Sequence, residues 1–258
     1  MTARRLHDLR LATLALPLAC ACSSTGVGNP ITGTLSLAIV SDDADGNASA
    51  DPTALEPLPR GALTRALIVF GSVRWLPCDP ELDAVTQSGP FIVDLLAGET
   101  RPPLPKLPLA QGGFCGFDAV LAPARDEADV AGRSLLFSGQ RADGVRFLLF
   151  ADLRATLRVR AAEGEAWGTA EGERALLWGM RPRRWASPAE LADEQPSESV
   201  SGTRTLVIDA DRHPLLFALI RARLASQSGL FFDADRNGAL DADERSAGAI
   251  GTGTTDDE

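Results

Sequence analysis

The chain has 258 residues, of which 45% are hydrophobic and 23% are charged, and its formal net charge is −10. A surface this acidic repels nucleic acid and anionic lipid and favours cations, which excludes nucleic-acid binding as the main role. A globular part of this length can bury one sizeable hydrophobic core together with a small appendage.

The first 21 residues have the composition of an export signal. Three arginines stand ahead of an apolar run at 11–19, which is too short to stay in a bilayer as a stable span. Removal of 1–21 takes away three arginines and one aspartate, and leaves 22 basic and 34 acidic residues with a formal charge of −12. The sequence therefore predicts a signal peptide at 1–21, followed by a flexible, polar tether at 22–30.

Two cysteines stand at the end of this signal segment. The sequence Leu18-Ala-Cys-Ala-Cys22 is similar to a bacterial lipobox, in which a small residue precedes the cysteine that receives lipid. Cys22 is the predicted lipidation site, because Ala21 precedes it and polar residues follow it, while Cys20 is the weaker alternative. Ordinary signal cleavage after Ala21 would instead release a soluble, secreted protein.

Cys78 and Cys115 are the two cysteines that remain in the rest of the chain. Two cysteines in an exported chain most often pair, so the sequence predicts a disulfide bond between them. Two separate buried thiols are the alternative. A zinc site is poorly supported, because neither cysteine has another cysteine or a histidine at ligand spacing.

Between 31 and 210 the hydrophobic pattern has the two-residue period of β-strands. Leu35, Leu37 and Ile39, for example, alternate with small or polar residues. The proline-rich run at 101–108 cannot form a central strand, because proline lacks the backbone donor. The pattern predicts an antiparallel β-sandwich over 31–210. Its further candidate strands lie at 66–75, 91–96, 117–121, 134–137, 145–150, 157–159, 175–178 and 205–208.

The C-terminal part changes from strand to helix periodicity. The polar segment 187–204 is predicted to be a linker or excursion, and 211–247 a helix followed by a metal-binding loop. Asp211 or His213 can cap the helix, and Pro214 suits its first turn. The tail at 248–258 is rich in glycine, threonine and acids and is predicted to be disordered. The apolar stripe of the helix consists of Leu216, Phe217, Ile220 and Leu224.

The most specific chemical signal is the twelve-residue loop Asp233–Glu244. Oxygen-bearing side chains occupy its positions 1, 3, 5, 9 and 12, Gly238 occupies position 6, and Leu240 is apolar at position 8. This spacing resembles the calcium-binding loop of EF-hands, in which hard oxygens surround one cation. Asp243 is expected to point outward. The predicted calcium ligands are the side chains of Asp233, Asp235, Asn237, Asp241 and Glu244 and the backbone carbonyl of Ala239.

The flanks of this loop depart from the EF-hand family. Phe232 fits the apolar pattern of an entering helix, whereas Gly229 does not. A second such loop is absent from the sequence, so Leu240 lacks its usual β-bridge partner. A solitary loop in an exported protein predicts a structural calcium ion bound weakly, at about 10⁻⁴–10⁻³ M. The alternative is an acidic turn that caps a helix without metal.

Catalytic chemistry has little support in the sequence. His213 is the only histidine outside the signal segment, and a capping or surface role is expected for it. Arg181, Arg183 and Arg184 form one basic cluster, which we expect to be an exposed strand end whose arginines pair with nearby acids. The acidic loop 42–47 lacks the later glutamate of an EF-hand loop and is predicted to be solvated.

Three segments resemble a known group of proteins. The segment Cys22–Pro30, the stretch 93–96 and the glycine turn before Phe114-Cys-Gly-Phe117 are similar to those of uncharacterised bacterial envelope lipoproteins with an immunoglobulin- or transthyretin-like sandwich. The resemblance covers roughly positions 22–125. It implies a cell-envelope protein with no assigned activity, and Ser23 after the lipidated cysteine implies the outer membrane.

Three functions are consistent with these observations. The first is a non-enzymatic envelope protein, attached to the membrane by its lipid, that uses calcium structurally. The second is a calcium-dependent module that binds a glycan or an envelope protein. The third is an envelope hydrolase with a carboxylate site. A cleft with aromatic and acidic side chains away from 233–244 would favour the second or third function.

Overall fold

The computed structural model describes residues 33–43, 56–109, 112–124, 130, 132–168, 172–196, 198–200 and 203–257. The predicted signal peptide at 1–21, Cys22 and the tether at 22–30 lie outside these residues. Residues Ile31–Glu258 form one compact unit, so the C-terminal segment is not a separate domain.

The described part of the chain is mainly β. Its three α-helices are α1 (Pro188–Asp193), α2 (Pro214–Ser226) and α3 (Ala242–Ala247), and a short 3-10 helix covers Pro182–Arg184. The strands are β1 (Gly33–Ser41), β2 (Leu63–Pro77), β3 (Val85–Asp94), β4 (Glu99–Arg101), β5 (Leu107–Pro108), β6 (Phe114–Leu121), β7 (Leu135–Gln140), β8 (Arg146–Ala151), β9 (Ala155–Ala161), β10 (Gly172–Met180), β11 (Glu198–Val200), β12 (Thr203–Ile208), β13 (Ser228–Phe232) and β14 (Gly251–Asp257).

These strands form a single mixed sheet rather than the purely antiparallel one predicted. Its order is β11-β12-β8-β7-β2-β6-β9-β14-β13-β10-β1-β5, with β3 attached beside β2 and β4 beside β3. β1 pairs with β10 in parallel, and so does β8 with β12, whereas the other neighbours are antiparallel. The two-residue period of a half-buried strand is the same for both senses of pairing, so the hydrophobic pattern could not reveal this.

The sheet curls so that one face encloses the main core. Phe70 of β2 lies 5.4 Å from Trp178 of β10, ring centre to ring centre, although four strands separate β2 from β10 in the sheet. Phe117 of β6 reaches the same indole at 5.2 Å. The opposite face of β2 carries Leu67 and Val69, which belong to a second, smaller apolar cluster. Strand alternation thus divides the apolar side chains between two faces.

The predicted disulfide bond is present and ties two neighbouring strands together. The sulfurs of Cys78 and Cys115 are 2.06 Å apart, just after β2 and within β6. The bond closes a loop with a sequence separation of 37 residues. It lies in the antiparallel β2–β6 pair, whose register the ladder hydrogen bonds already fix.

The predicted C-terminal helix is confirmed as α2, but the elements around it differ from expectation. Pro214 occupies its first turn, and Leu216, Ile220 and Leu224 are buried. The segment 187–204, predicted to be a linker, contains α1 and β11. Ser187 caps α1 and exchanges side-chain and backbone hydrogen bonds with Glu190, which gives this polar segment a local reason to be helical.

Strands β13 and β14 were both missed by the sequence patterns. β13 follows α2 directly, so a strand and not a helix leads into the calcium-type loop. β14 lies where a disordered tail was predicted, and it fills the gap between β9 and β13. Its pairing depends on backbone hydrogen bonds and close approach. A Cβ on Gly253 would lie 2.7 Å from the carbonyl oxygen of Ala225, so only glycine fits there.

Candidate metal centre

The first acidic residue of the loop is fixed by the sheet. β13 pairs with β10, with Phe232 opposite Leu176, and the next residue, Asp233, donates its backbone N–H to the carbonyl of Ala175 at 3.0 Å. A strand therefore positions the loop entrance where an EF-hand has a helix. Asp233 is buried at the point where the chain leaves the sheet.

The loop then wraps around the Asp233 carboxylate. That carboxylate accepts hydrogen bonds from the backbone N–H groups of Asn237 and Gly238, each at 3.1 Å. Asp235 accepts a second bond from the Asn237 N–H, also at 3.1 Å. Gly238 has a φ of 73°, which glycine adopts without the steric penalty of a side chain. The sharp turn expected at position 6 is therefore present.

Helix α3 returns the last acidic residue of the loop to its beginning. Asp241 is the N-cap, and its carboxylate accepts the Glu244 N–H at 2.9 Å. The Glu244 carboxylate accepts the Asp241 N–H at 3.2 Å and the Ala234 N–H at 2.8 Å. This capping box fixes Glu244, which is buried, beside the loop entrance.

Three of the predicted ligands converge. Carboxylate oxygens of Asp233, Asp235 and Glu244 all lie within 4.8 Å of one another. In the described part of the chain no lysine or arginine pairs with any of the three. Close carboxylates without a counter-charge repel one another, and a hard divalent cation with oxygen ligands would relieve that repulsion.

The other predicted ligands lie beside this group. The Asn237 side chain donates to Asp235 at 2.7 Å and accepts the Ala239 N–H at 2.6 Å. Asp241 uses one carboxylate oxygen to cap α3. Asp243 is exposed and is not part of the converging group, as its expected outward direction requires.

The sheet takes the place of the missing second loop behind Leu240. Leu240 is buried in a small apolar cluster with Val40 of β1, Leu177 of β10 and Phe231 of β13. Its side chain therefore has a hydrophobic partner surface even though no second EF-hand is present. This contact holds the loop against the outer face of the sheet, where a paired EF-hand would hold it against its neighbour.

A buried ionic cluster next to the loop was not foreseen. Asp42 was predicted to belong to a solvated acidic loop, but its side chain is only 2% exposed. It accepts hydrogen bonds from Nε of Arg181 and from Nε of Arg245, each at 2.6 Å. The pairing expected for Arg181 is thus confirmed. Residues 44–47 of the same acidic loop lie outside the described residues.

Asp43, the next residue, differs from Asp42 in its hydrogen-bond partners and has a raised pKa. Burial raises its pKa from 3.8 to about 6, although hydrogen bonds from the Arg183 backbone and from Ser41 partly oppose the rise. It has no contact with the loop at 233–244 among its hydrogen bonds. Two consecutive acids therefore have different partners, since Asp42 binds two arginine side chains.

His213 differs from the expected surface or capping residue. It occupies the N-cap position of α2, but its side chain makes no capping hydrogen bond. The ring is buried, and Nδ1 lies 2.7 Å from a carboxylate oxygen of Glu194. The contact places it between α2 and the end of α1. The contact therefore links the first turn of α2 to the C-terminal end of α1.

One open cavity of about 640 Å³ lies away from the loop. Its single carboxylate belongs to Asp143, which pairs with Arg141 at 2.7 Å. None of its described lining residues is aromatic, so this part of the cavity lacks the aromatic and acidic character expected of a glycan or hydrolase cleft. The lining residues are Leu58, Pro59, Arg60, Gly61, Ala62, Gln140, Arg141, Ala142, Asp143, Pro188, Ala189, Leu191 and Ala192.

Comparison of the chain with models of protein families, with curated proteins and with solved structures finds no match in any of the three. None of the helices in the described ranges is long and apolar enough to cross a membrane.

Proposed function

We propose that this protein is a non-enzymatic, lipid-anchored protein of the bacterial cell envelope that binds one calcium ion through the loop Asp233–Glu244. The observation that carries the proposal is the convergence of three carboxylates within 4.8 Å at EF-hand spacing. The proposed ligands are those given by that spacing: Asp233, Asp235, Asn237, Ala239, Asp241 and Glu244.

The role proposed for the metal is structural. The loop begins at a strand of the sheet, and Leu240 packs on the outer face of that sheet. Arg236 adds a hydrogen bond to the carbonyl of Glu173 in β10 at 3.0 Å. A calcium sensor needs a helix pair that can open, and here a strand stands where the entering helix would be. The ion would therefore stabilise the packing of the C-terminal loop against the sheet.

Calorimetry on the purified full chain tests the calcium site. We expect a dissociation constant of about 10⁻⁴–10⁻³ M for calcium, in the range of extracellular calcium modules. Glu244→Gln removes one charge of the converging group and should abolish measurable binding. Asp243→Asn is the matched control, because it removes one charge from the same helix outside that group. Absence of calcium heat for the unmodified chain would contradict the proposal, and so would equal losses in the two variants.

The anchor and the fold family are separate parts of the proposal. Cys22 would carry the lipid, and the sheet would have the immunoglobulin- or transthyretin-like sandwich architecture that the sequence resemblance implies. The ring contact between Phe70 and Trp178 supports face-to-face packing of distant strands, as in a sandwich. The outer membrane is the proposed location.

Fractionation of cells tests the anchor. Cys22→Ala should move the protein from the membrane to the soluble fraction, and mass spectrometry should find lipid on Cys22 of the unmodified protein. Cys20→Ala is the control and should leave the protein in the membrane fraction. A Cys22→Ala protein that remains lipidated would overturn this assignment.

A further inference from the structure

One buried carboxylate joins three segments that are far apart in the sequence. Asp42 stands directly after β1, Arg181 directly after β10, and Arg245 in the last turn of α3. Asp42 contacts both arginines through separate oxygens, and its backbone N–H donates to the carbonyl of Met180 at 2.6 Å. The acid is thus held at the sheet by its backbone and reaches α3 by its side chain.

The sequence of β10 makes room for this arrangement. A Cβ on Gly179 would lie 3.0 Å from the Cβ of Asp42 and 3.0 Å from a methyl carbon of Leu240. Glycine at this position therefore allows the buried acid and the loop leucine to approach the same point of the sheet. The Asp42–Arg245 ion pair and the apolar contact of Leu240 therefore link the loop and α3 to adjacent positions of the sheet.

Arg245 is the neighbour of Glu244, the residue that closes the proposed calcium site. Helix α3 has only six residues, and its capping box fixes it to its own loop rather than to the sheet. Among the described hydrogen bonds of α3 side chains, the one from Arg245 to Asp42 reaches the body of the sheet. The ion pair therefore adds a link to the sheet to the hydrogen bonds that Glu244 already accepts from the Asp241 and Ala234 N–H groups.

We propose that Asp42 is a positioning residue for the calcium site, holding α3 through Arg245 so that Glu244 meets Asp233 and Asp235 before the metal binds. This inference rests on the proposed calcium function. Groups that orient metal ligands without touching the metal typically change metal affinity by about 10–100-fold when they are replaced. Asp42 also neutralises a guanidinium that would otherwise repel a cation from a short distance.

Calcium titration of four proteins at pH 7 tests the proposal: the unmodified full chain, Asp42→Asn, Asp43→Asn and Arg245→Gln. We expect Asp42→Asn to weaken calcium binding about tenfold. Asp43→Asn is the matched control, since it neutralises the neighbouring acid without touching α3, and it should change affinity less than about twofold. Circular dichroism without calcium shows whether each variant is folded.

Arg245→Gln should change the calcium affinity in the direction opposite to the one that loss of its charge alone would produce. Removing a positive charge next to the site should strengthen cation binding by electrostatics, whereas loss of the link to Asp42 should weaken it. We expect weaker binding, and this substitution of a partly buried side chain also serves if Asp42→Asn does not fold. Unchanged or tighter binding by Arg245→Gln overturns the inference, as does equal weakening in Asp42→Asn and Asp43→Asn. An unmodified chain that binds no calcium overturns the proposed function and this inference together.

Discussion

Helices α1 and α3 are each six residues long and each begins with a capping box, yet the glutamate of each box faces a different charge. In α1, both carboxylate oxygens of Glu190 accept hydrogen bonds from Arg223 at 2.7 Å. In α3, the hydrogen bonds that Glu244 accepts within the described residues come only from backbone N–H groups, and its carboxylate faces Asp233 and Asp235. The same local motif is therefore neutralised in one place and left open to a cation in the other.

Asp43 shows a third outcome for a buried acid in this protein. Glu190 has a lowered pKa because it bonds to Arg223, while burial raises the pKa of Asp43 to about 6. An acid withdrawn from water can thus bind an arginine, bind a proton or bind a metal. Substitutions of these acids and of their partners should distinguish the three cases.

Reduction of the disulfide between Cys78 and Cys115 should have the largest effect on stability. Its sequence separation of 37 residues corresponds to roughly 4 kcal/mol in the chain-entropy model. The bond lies in β2–β6, away from both capping boxes, so the folded fraction should keep its calcium affinity. Urea denaturation and calcium titration of a Cys78→Ala, Cys115→Ala protein measure the two quantities. A loss of calcium affinity equal to that of Glu244→Gln would contradict this separation.

Asp43→Asn should remove a pH dependence of folding. The folded pKa of about 6 exceeds the ordinary value of 3.8, so Asp43 favours folding at low pH and loses this contribution as the pH rises through about 6. Between pH 4 and pH 7, the variant should therefore gain about 2 kcal/mol of unfolding free energy relative to the unmodified chain. Urea denaturation at several pH values measures this difference, and a constant difference across the range would refute it.

Arg223→Gln should destabilise the protein by about 2 kcal/mol, because it leaves the partly buried Glu190 without its counter-charge. The remaining solvent contact of both side chains keeps the effect below that of a fully buried pair. Calcium affinity should not change, since Arg223 lies outside the loop. Thermal denaturation with and without calcium checks both statements.

Calcium at 10 mM should raise the unfolding free energy of the unmodified chain by about 1.4–2.7 kcal/mol, from the affinity range expected for such loops. Glu244→Gln should lose this gain and should be as stable as the unmodified chain without calcium, because it relieves repulsion among three carboxylates. Glu190→Gln should keep the gain despite its own loss of stability. If Glu190→Gln also loses it, the contrast between the two capping boxes is wrong.

Local patterns in the sequence predicted much of this protein. Alternation at Leu35, Leu37 and Ile39 marked β1, and the stripe at Leu216, Ile220 and Leu224 marked α2. The pairing of Cys78 with Cys115 followed from their number in a chain that the sequence predicts to be exported. The spacing of the loop 233–244 identified the converging carboxylates. Each of these features depends on neighbours in sequence or on residue counts.

The tertiary structure decided the features that depend on distant segments. β13 and β14 carry weak local signals, because their glycines and threonines are in strands only through pairing with β10 and β9. Parallel pairing of β1 with β10 likewise produces no distinct hydrophobic pattern in the sequence of either strand. One of the two arginine partners of Asp42, Arg245, is 203 residues away in the sequence. Sequence spacing determined which residues could bind a cation, and only the fold decided which acids already had a counter-charge.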